Sequence, residues 1–164
     1  MNTSYLLTGG NLGNRSANLA QARNLISASA GTVSQASALY ETAAWGKTDQ
    51  PSFLNQALCI QTTLSPAELI KELLQIEKTI GRLRQEKYGP RLIDIDILLY
   101  EDRTVNEPTI TIPHPQLPNR RFALIPLAEI AANVIHPVLK KTIRQLLDEC
   151  QDRLEVFPYF APFK

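Results

Sequence analysis

The run Ile93-Asp94-Ile95-Asp96-Ile97-Leu98-Leu99-Tyr100 constrains the fold more than any other segment of the chain. Apolar and acidic residues alternate with a period of two, which fits a strand, whose side chains point to opposite faces in turn. The pattern puts Ile93, Ile95, Ile97 and Leu99 on one face, against helices, and Asp94 and Asp96 on the other, open face. By the rise per residue the two aspartates start about 7 Å apart. Two carboxylates so placed repel each other unless a cation sits between them. They can share one magnesium ion, or a pair of ions about 4 Å apart. Magnesium takes one or two protein carboxylates and completes its shell with water and phosphate oxygens. The alternative is a half-exposed strand with two solvated aspartates. It has to explain two poor strand formers in mid-strand.

The rest of the chain arranges itself around this strand. Residues 4–8 read as a first strand, 9–14 as a turn-rich loop and 15–29 as a helix with Leu19, Ala22, Leu25 and Ile26 on one side. Residues 32–42 read as a second, fairly polar strand, and 53–63 as a third. Ser65-Pro66-Ala67-Glu68 is a helix start with a capping box and a proline at the first helical position. Leu69, Leu73, Ile76 and Ile80 then form one buried stripe, and Gly81 stops the helix. After Tyr100 a turn leads into an extension over 104–112, helices over 123–132 and 142–151, and a last short strand over 154–157. Strand, helix, strand, strand, helix, strand predicts an α+β fold of the ferredoxin-like type, with a C-terminal extension and the helices on one face of an antiparallel sheet. The 164 residues suffice for one domain, 1–164.

Bulk properties exclude several classes. Seventeen basic against sixteen acidic residues leave a formal charge of +1, which argues against a general nucleic-acid binder. No apolar run approaches the roughly 20 residues that cross a bilayer, and the N-terminus lacks the features of a signal peptide. Cys59 and Cys150 have no metal-type spacing and read as reduced, packed thiols. The chain is therefore expected in the cytoplasm, with no membrane or nucleic-acid partner.

Other residues point to phosphate chemistry. Arg82, Arg84, Lys87 and Arg91 precede the aspartate strand, and polyphosphate transfer depends on positioning and charge neutralisation. Arginine suits this because its fork binds phosphate bidentately. Gly9, Gly10 and Gly13 do not make a Walker loop, because Asn14-Arg15 follows Gly13 where Lys and Ser or Thr are needed. They read as a tight strand-to-helix turn. His114, held between Pro113 and Pro115 and near Arg120, is either structural or a phosphate ligand. His136 reads as surface or packing. By residue type alone Trp45, Phe53 and Asn55 read as core aromatics and a strand-start amide, although they are also what a flat heterocycle would need.

Several ordered motifs resemble one family. The run Lys87-Tyr88-Gly89-Pro90-Arg91-Leu92-Ile93-Asp94-Ile95-Asp96 resembles the signature of the 6-hydroxymethyl-7,8-dihydropterin pyrophosphokinases. So do Gly9-Gly10-Asn11-Leu12-Gly13-Asn14-Arg15, Asp49-Gln50-Pro51-Ser52-Phe53-Leu54-Asn55, Pro113-His114-Pro115, Arg120, Phe122 and the block Pro126 to Ala131. Gly10, Asn14, Phe53 and Tyr88 depart from residues common in the family. The resemblance implies transfer of pyrophosphate from ATP to the pterin hydroxymethyl group, with AMP leaving, in folate biosynthesis. It implies that Asp94 and Asp96 hold two Mg2+ ions and that Arg82 and Arg91 meet the triphosphate. Glu77, Arg84, Ile97, Thr111, His114 and Arg120 would surround ATP. Asn55, Phe53, Phe122 and the segment Thr42, Ala43, Trp45 would hold the pterin, with the two phenylalanines stacked on the ring. A monomer is expected. A ferredoxin-like nucleic-acid module and a catalytically dead metabolite sensor are the competing readings.

Overall fold

The computed structural model describes residues 1–43, 49–81 and 91–160. The elements follow in the order β1 (Asn2–Gly10), α1 (Arg15–Ser29), β2 (Thr32–Ala36), β3 (Tyr40–Thr42), β4 (Phe53–Thr62), α2 (Pro66–Ile80), β5 (Asp94–Tyr100), β6 (Val105–Glu107), β7 (Ile110–Ile112), α3 (Arg121–Ala131), α4 (Ile143–Glu149) and β8 (Val156–Pro158). The main sheet is antiparallel, in the order β5-β1-β4-β3-β8, and β2 pairs with the far end of β4. This is the ferredoxin-like order expected from the alternation of elements.

Local chemistry accounts for the helix limits. Asn14 accepts from Ala17 N at the start of α1. Ser65 and Glu68 close a reciprocal capping box at α2, and Gly81 ends that helix with a φ of 109°, a left-handed turn that glycine adopts without strain.

The first core lies between the sheet and α1 and α2. Leu6, Leu58, Ile60, Ile95 and Ile97 meet Leu19, Ala22 and Ile26 of α1 and Leu69, Leu73 and Ile76 of α2. Both helices of the ferredoxin-like core lie on this face as expected, and the C-terminal helices cover the other. Leu7, Leu98 and Leu99 form a second core on the opposite face with Leu124 and Leu127 of α3 and Ile143 and Leu146 of α4. Leu99 therefore points away from Ile95 and Ile97, not with them as simple alternation predicts. The reason is a β-bulge: β1 pairs Tyr5 with Leu99 but Leu6 with Ile97, so Leu98 is the extra residue. One inserted residue reverses the phase of everything after it, and Tyr100 joins the first core in place of Leu99.

Two more expectations are corrected. The strand read over 32–42 is two strands, because Ser37 leaves the ladder: its hydroxyl accepts from Ala57 N, and Gln56 Nε2 donates to its carbonyl. The extension over 104–112 is a separate β6–β7 hairpin, closed by Val105 opposite Ile112. It leads through a cis Ile112–Pro113 peptide to His114, whose amide donates to Leu98 O. Cys59 and Cys150 are free and buried, as expected of packed thiols.

Candidate active site

Strand register assembles the site. Gly9 pairs with Asn55 on one side and Asp94 on the other, so the three stand in one row across β4, β1 and β5. Leu7 pairs with Ala57 and Asp96, two residues further along the same face. Asn55 and the two aspartates thus project from one side of the sheet, opposite the first core. The second core takes Leu7 and stops short of the Asn55–Gly9–Asp94 row. Gly9 is needed for a reason its turn-rich surroundings hide. A Cβ there would lie 2.1 Å from Asn55 Oδ1, so the missing side chain is the space in which the Asn55 carboxamide lies. A Cβ on Gly10 would come within 2.3 Å of Leu92 O, so that glycine lets the segment before β5 approach the end of β1.

Through that approach Arg91 is fixed. Its carbonyl accepts from Asn11 N at 3.0 Å and Leu12 N at 3.2 Å, and its amide donates to Asn11 Oδ1 at 2.9 Å. Its guanidinium donates to Asp94 Oδ2 at 2.9 Å and lies 5.9 Å from the centre of the Phe53 ring. Asn11 is nearly fully buried, and its Nδ2 donates to Gln50 Oε1 and Pro51 O. One amide thus links the segment before β4 to the segment before β5. Neither Asn11 nor Gly9 was singled out from the sequence as a site residue. Their partners are distant in the chain, and nothing local to a Gly-Gly-Asn turn announces them.

The electrostatics of the aspartate pair ask for a cation. Burial, and next the neighbouring Asp94, push the Asp96 carboxyl up to about 7; Glu77 acts in the same sense, while Arg120 and Arg91 oppose it. Among the described residues no group of three or more His, Cys, Asp or Glu side chains gathers to hold a metal. Two hard carboxylates suit magnesium completed by water and substrate oxygens rather than a closed zinc site.

The remaining expected residues divide. His114 Nδ1 accepts from Gln116 N at 3.1 Å, which leaves its proton on Nε2. Burial, and then Arg120, lower its pKa to about 4, so the ring is neutral near pH 7. Arg120 lies 5.6 Å from the Phe122 ring centre and acts electrostatically on both His114 and Asp96. Thr111 and His114 line a cleft of about 450 Å³ with Asn106, Pro113 and His136. His136 serves the turn that follows it, its Nδ1 accepting from Val138 N and Leu139 N.

Glu77 and Ile97 differ from the implied picture of side chains around ATP. Glu77 is buried, and its Oε2 accepts from Ile95 N at 2.7 Å. Ile97 is buried in the first core, so only its backbone faces outward. Thr42 is buried as well, its hydroxyl donating to Glu155 O and its strand paired on both sides, opposite Phe53 and Val156, while Ala43 is exposed. Trp45, Arg82, Arg84, Lys87 and Tyr88 lie outside the described residues.

Comparison with known proteins agrees with this geometry. The profile of a family described as 7,8-dihydro-6-hydroxymethylpterin-pyrophosphokinase (HPPK) matches residues 5–132. Two relatives bear the name 2-amino-4-hydroxy-6-hydroxymethyldihydropteridine pyrophosphokinase. That of Aquifex aeolicus is 40% identical over 149 residues, covering 91% of this chain and 92% of its own. That of Methylorubrum extorquens is 42% identical over 148 residues, covering 90% and 92%. The crystal structure of wild-type Plasmodium falciparum HPPK-DHPS superimposes with a TM-score of 0.73 at 17% identity, over 90% of this chain and 44% of that one. At that identity the likeness is one of fold, and this chain spans less than half the length of the solved chain.

Proposed function

The chain belongs to the 7,8-dihydro-6-hydroxymethylpterin pyrophosphokinase family, and from that premise we propose how its own residues carry out the family's reaction. The enzyme transfers pyrophosphate from ATP to the hydroxymethyl group of 6-hydroxymethyl-7,8-dihydropterin. The pterin hydroxyl oxygen bonds to the β-phosphorus of ATP and loses its proton to water. The bond from that phosphorus to the α–β bridging oxygen breaks, and AMP leaves with the oxygen.

In our reading Asn55 presents its carboxamide to the polar edge of the pterin, with Phe53 and Phe122 against the ring and the backbone of 42–45 closing the edge. Asp94 and Asp96 hold two Mg2+ ions, which when bound neutralise the triphosphate and polarise its oxygens. Arg91, already on Asp94 and beside Phe53, lies where pterin and phosphates meet and neutralises the charge that develops on the transferred group. Arg82 joins it. His114 donates Nε2–H to a phosphate oxygen as a neutral imidazole, with Arg120, Arg84 and Thr111 on the same nucleotide. Glu77 and Ile97 enter more indirectly: the Glu77 carboxylate steadies β5 from behind, and Ile97 offers backbone only. We further read 1–164 as one domain, acting as a cytoplasmic monomer without membrane or nucleic-acid partners. The balanced charge supports this, and among the described residues no helix is long and apolar enough to cross a membrane.

The observation that carries the assignment is the row Asn55–Gly9–Asp94. It aligns a carboxamide able to read a heterocycle with the first of the two carboxylates across one intervening strand, which supports this reading. The test is AMP release from ATP and Mg2+, with and without the hydroxymethyl dihydropterin. Pterin-dependent AMP without ADP is expected. ADP would indicate an ordinary kinase, and a folded sample without nucleotide turnover would overturn the reading.

A further inference from the structure

Residues 43–52 join β3 to β4, and these strands pair directly, Thr42 opposite Phe53, Glu41 opposite Leu54 and Tyr40 opposite Asn55. The segment therefore leaves and rejoins the sheet at one place, beside Phe53 and Asn55. Both of its ends meet one side chain from a distant element. Arg15, the first residue of α1, donates from one guanidinium nitrogen to Glu41 Oε2 at 2.6 Å, to Ser52 O at 3.1 Å and to Ser52 Oγ at 3.2 Å. Ser52 Oγ donates in turn to Glu41 Oε2 at 3.0 Å. The Arg15 guanidinium also lies 5.5 Å from the centre of the Tyr159 ring. Tyr159 follows β8, which covers β3 with Thr42 opposite Val156, and its amide donates to Leu39 O.

Nothing in the transfer chemistry requires this cluster. An ordinary surface ion pair is worth little. This one is different in kind: the Arg15 side chain is 23% exposed and that of Glu41 36%, and the guanidinium bridges two points of the chain that flank a segment. Its hydrogen bond holds the Glu41 carboxyl below the usual carboxylate range, with the Ser52 hydroxyl adding to it.

We infer that Arg15 is a positioning residue that clamps both ends of segment 43–52, fixing the β3–β4 edge so that Phe53, Asn55 and the Thr42–Ala43 backbone are presented together to the pterin. The inference rests on the pterin assignment above. Arg15 touches neither substrate and acts through Glu41 and Ser52. Lysine keeps the charge and a single donating nitrogen, but it lacks the guanidinium face that lies over Tyr159.

Steady-state AMP release with each substrate varied in turn tests this. Loss of a charge-assisted bridge is expected to raise the pterin KM of Arg15→Ala about tenfold, leaving the ATP KM within about twofold. Arg15→Lys should fall between, and Arg15→Ala combined with Glu41→Gln should be no worse than Arg15→Ala alone, because both remove one bridge. Hydrogen exchange without substrates should show faster exchange at Phe53, Leu54 and Asn55 in the variant, with Tm nearly unchanged. An unchanged pterin KM in an active variant overturns the inference. So does a parallel loss in both KM values and in Tm, which means only general destabilisation. If the parent enzyme shows no pterin-dependent turnover, the function proposed above has failed instead, and the exchange comparison still decides whether Arg15 clamps the segment.

Discussion

Asp96 stands in the same row as Leu7, at the border of the second core, while Asp94 stands in the row of Gly9. That offset explains why burial acts on Asp96. The folded pKa lies above that of an unfolded aspartate, so the metal-free chain binds the proton more tightly when folded and loses stability as pH rises from about 4 to about 7. Asp96→Asn should therefore stabilise the metal-free protein at pH 8 by ~1–3 kcal/mol in urea denaturation, the carboxylate being partly open to solvent, and should abolish AMP release. His114 has the opposite sign. A depressed imidazole pKa gives stability that is complete above about 6.5 and lost as pH falls toward about 4. Urea denaturation at pH 7 and pH 5 should show a loss that shrinks in His114→Asn. Gly9→Ala makes the third test at this scale. Its methyl takes the place of Asn55 Oδ1, so the pterin KM should rise while the ATP KM stays near the parent value, measured by the same AMP assay. None of this fine structure was legible in the sequence, where Gly9 is one glycine of a turn and the two aspartates look equivalent.

Among elements, what could be read in advance is what local chemistry determines. The limits of α1 and the capping box of α2 follow from Asn14, Ser65, Glu68 and Gly81 with their immediate neighbours. Ser65→Ala removes the acceptor for Glu68 N and should cost about 1 kcal/mol in urea denaturation. The strand character of β5 and the shared face of its aspartates are equally local, being set by a period of two. The bulge at Leu98 is not. It depends on which β1 residue opposes which β5 residue, and a run of three apolar residues, Ile97-Leu98-Leu99, is compatible with either phase. The break at Ser37 is likewise imposed from outside, by the Ala57 amide and the Gln56 side chain. Missing the bulge is also why Leu99 was expected on the face of α1 and α2, although it packs with α3 and α4.

At the scale of the whole molecule, one sheet carries two cores on its opposite faces, and β1 contributes Leu6 to one and Leu7 to the other. Unfolding either side exposes the back of the same strands. If 1–164 is one domain, thermal unfolding followed by near- and far-ultraviolet circular dichroism should give one coincident transition, and two separated transitions would divide the chain. The family match ends at residue 132, yet α4 and β8 beyond it close the second core and the β3 edge. The tail is therefore part of the frame around the site. The Glu77 carboxylate behind β5 gives this frame a spectroscopic consequence. The Ile95 amide, bonded to it at 2.7 Å and placed between the two aspartates in sequence, is a charge-assisted donor whose proton resonance should lie well downfield of the other strand amides. In a labelled sample that single resonance becomes a built-in reporter, readable without substrate or turnover, of how the aspartate strand responds as magnesium is titrated in.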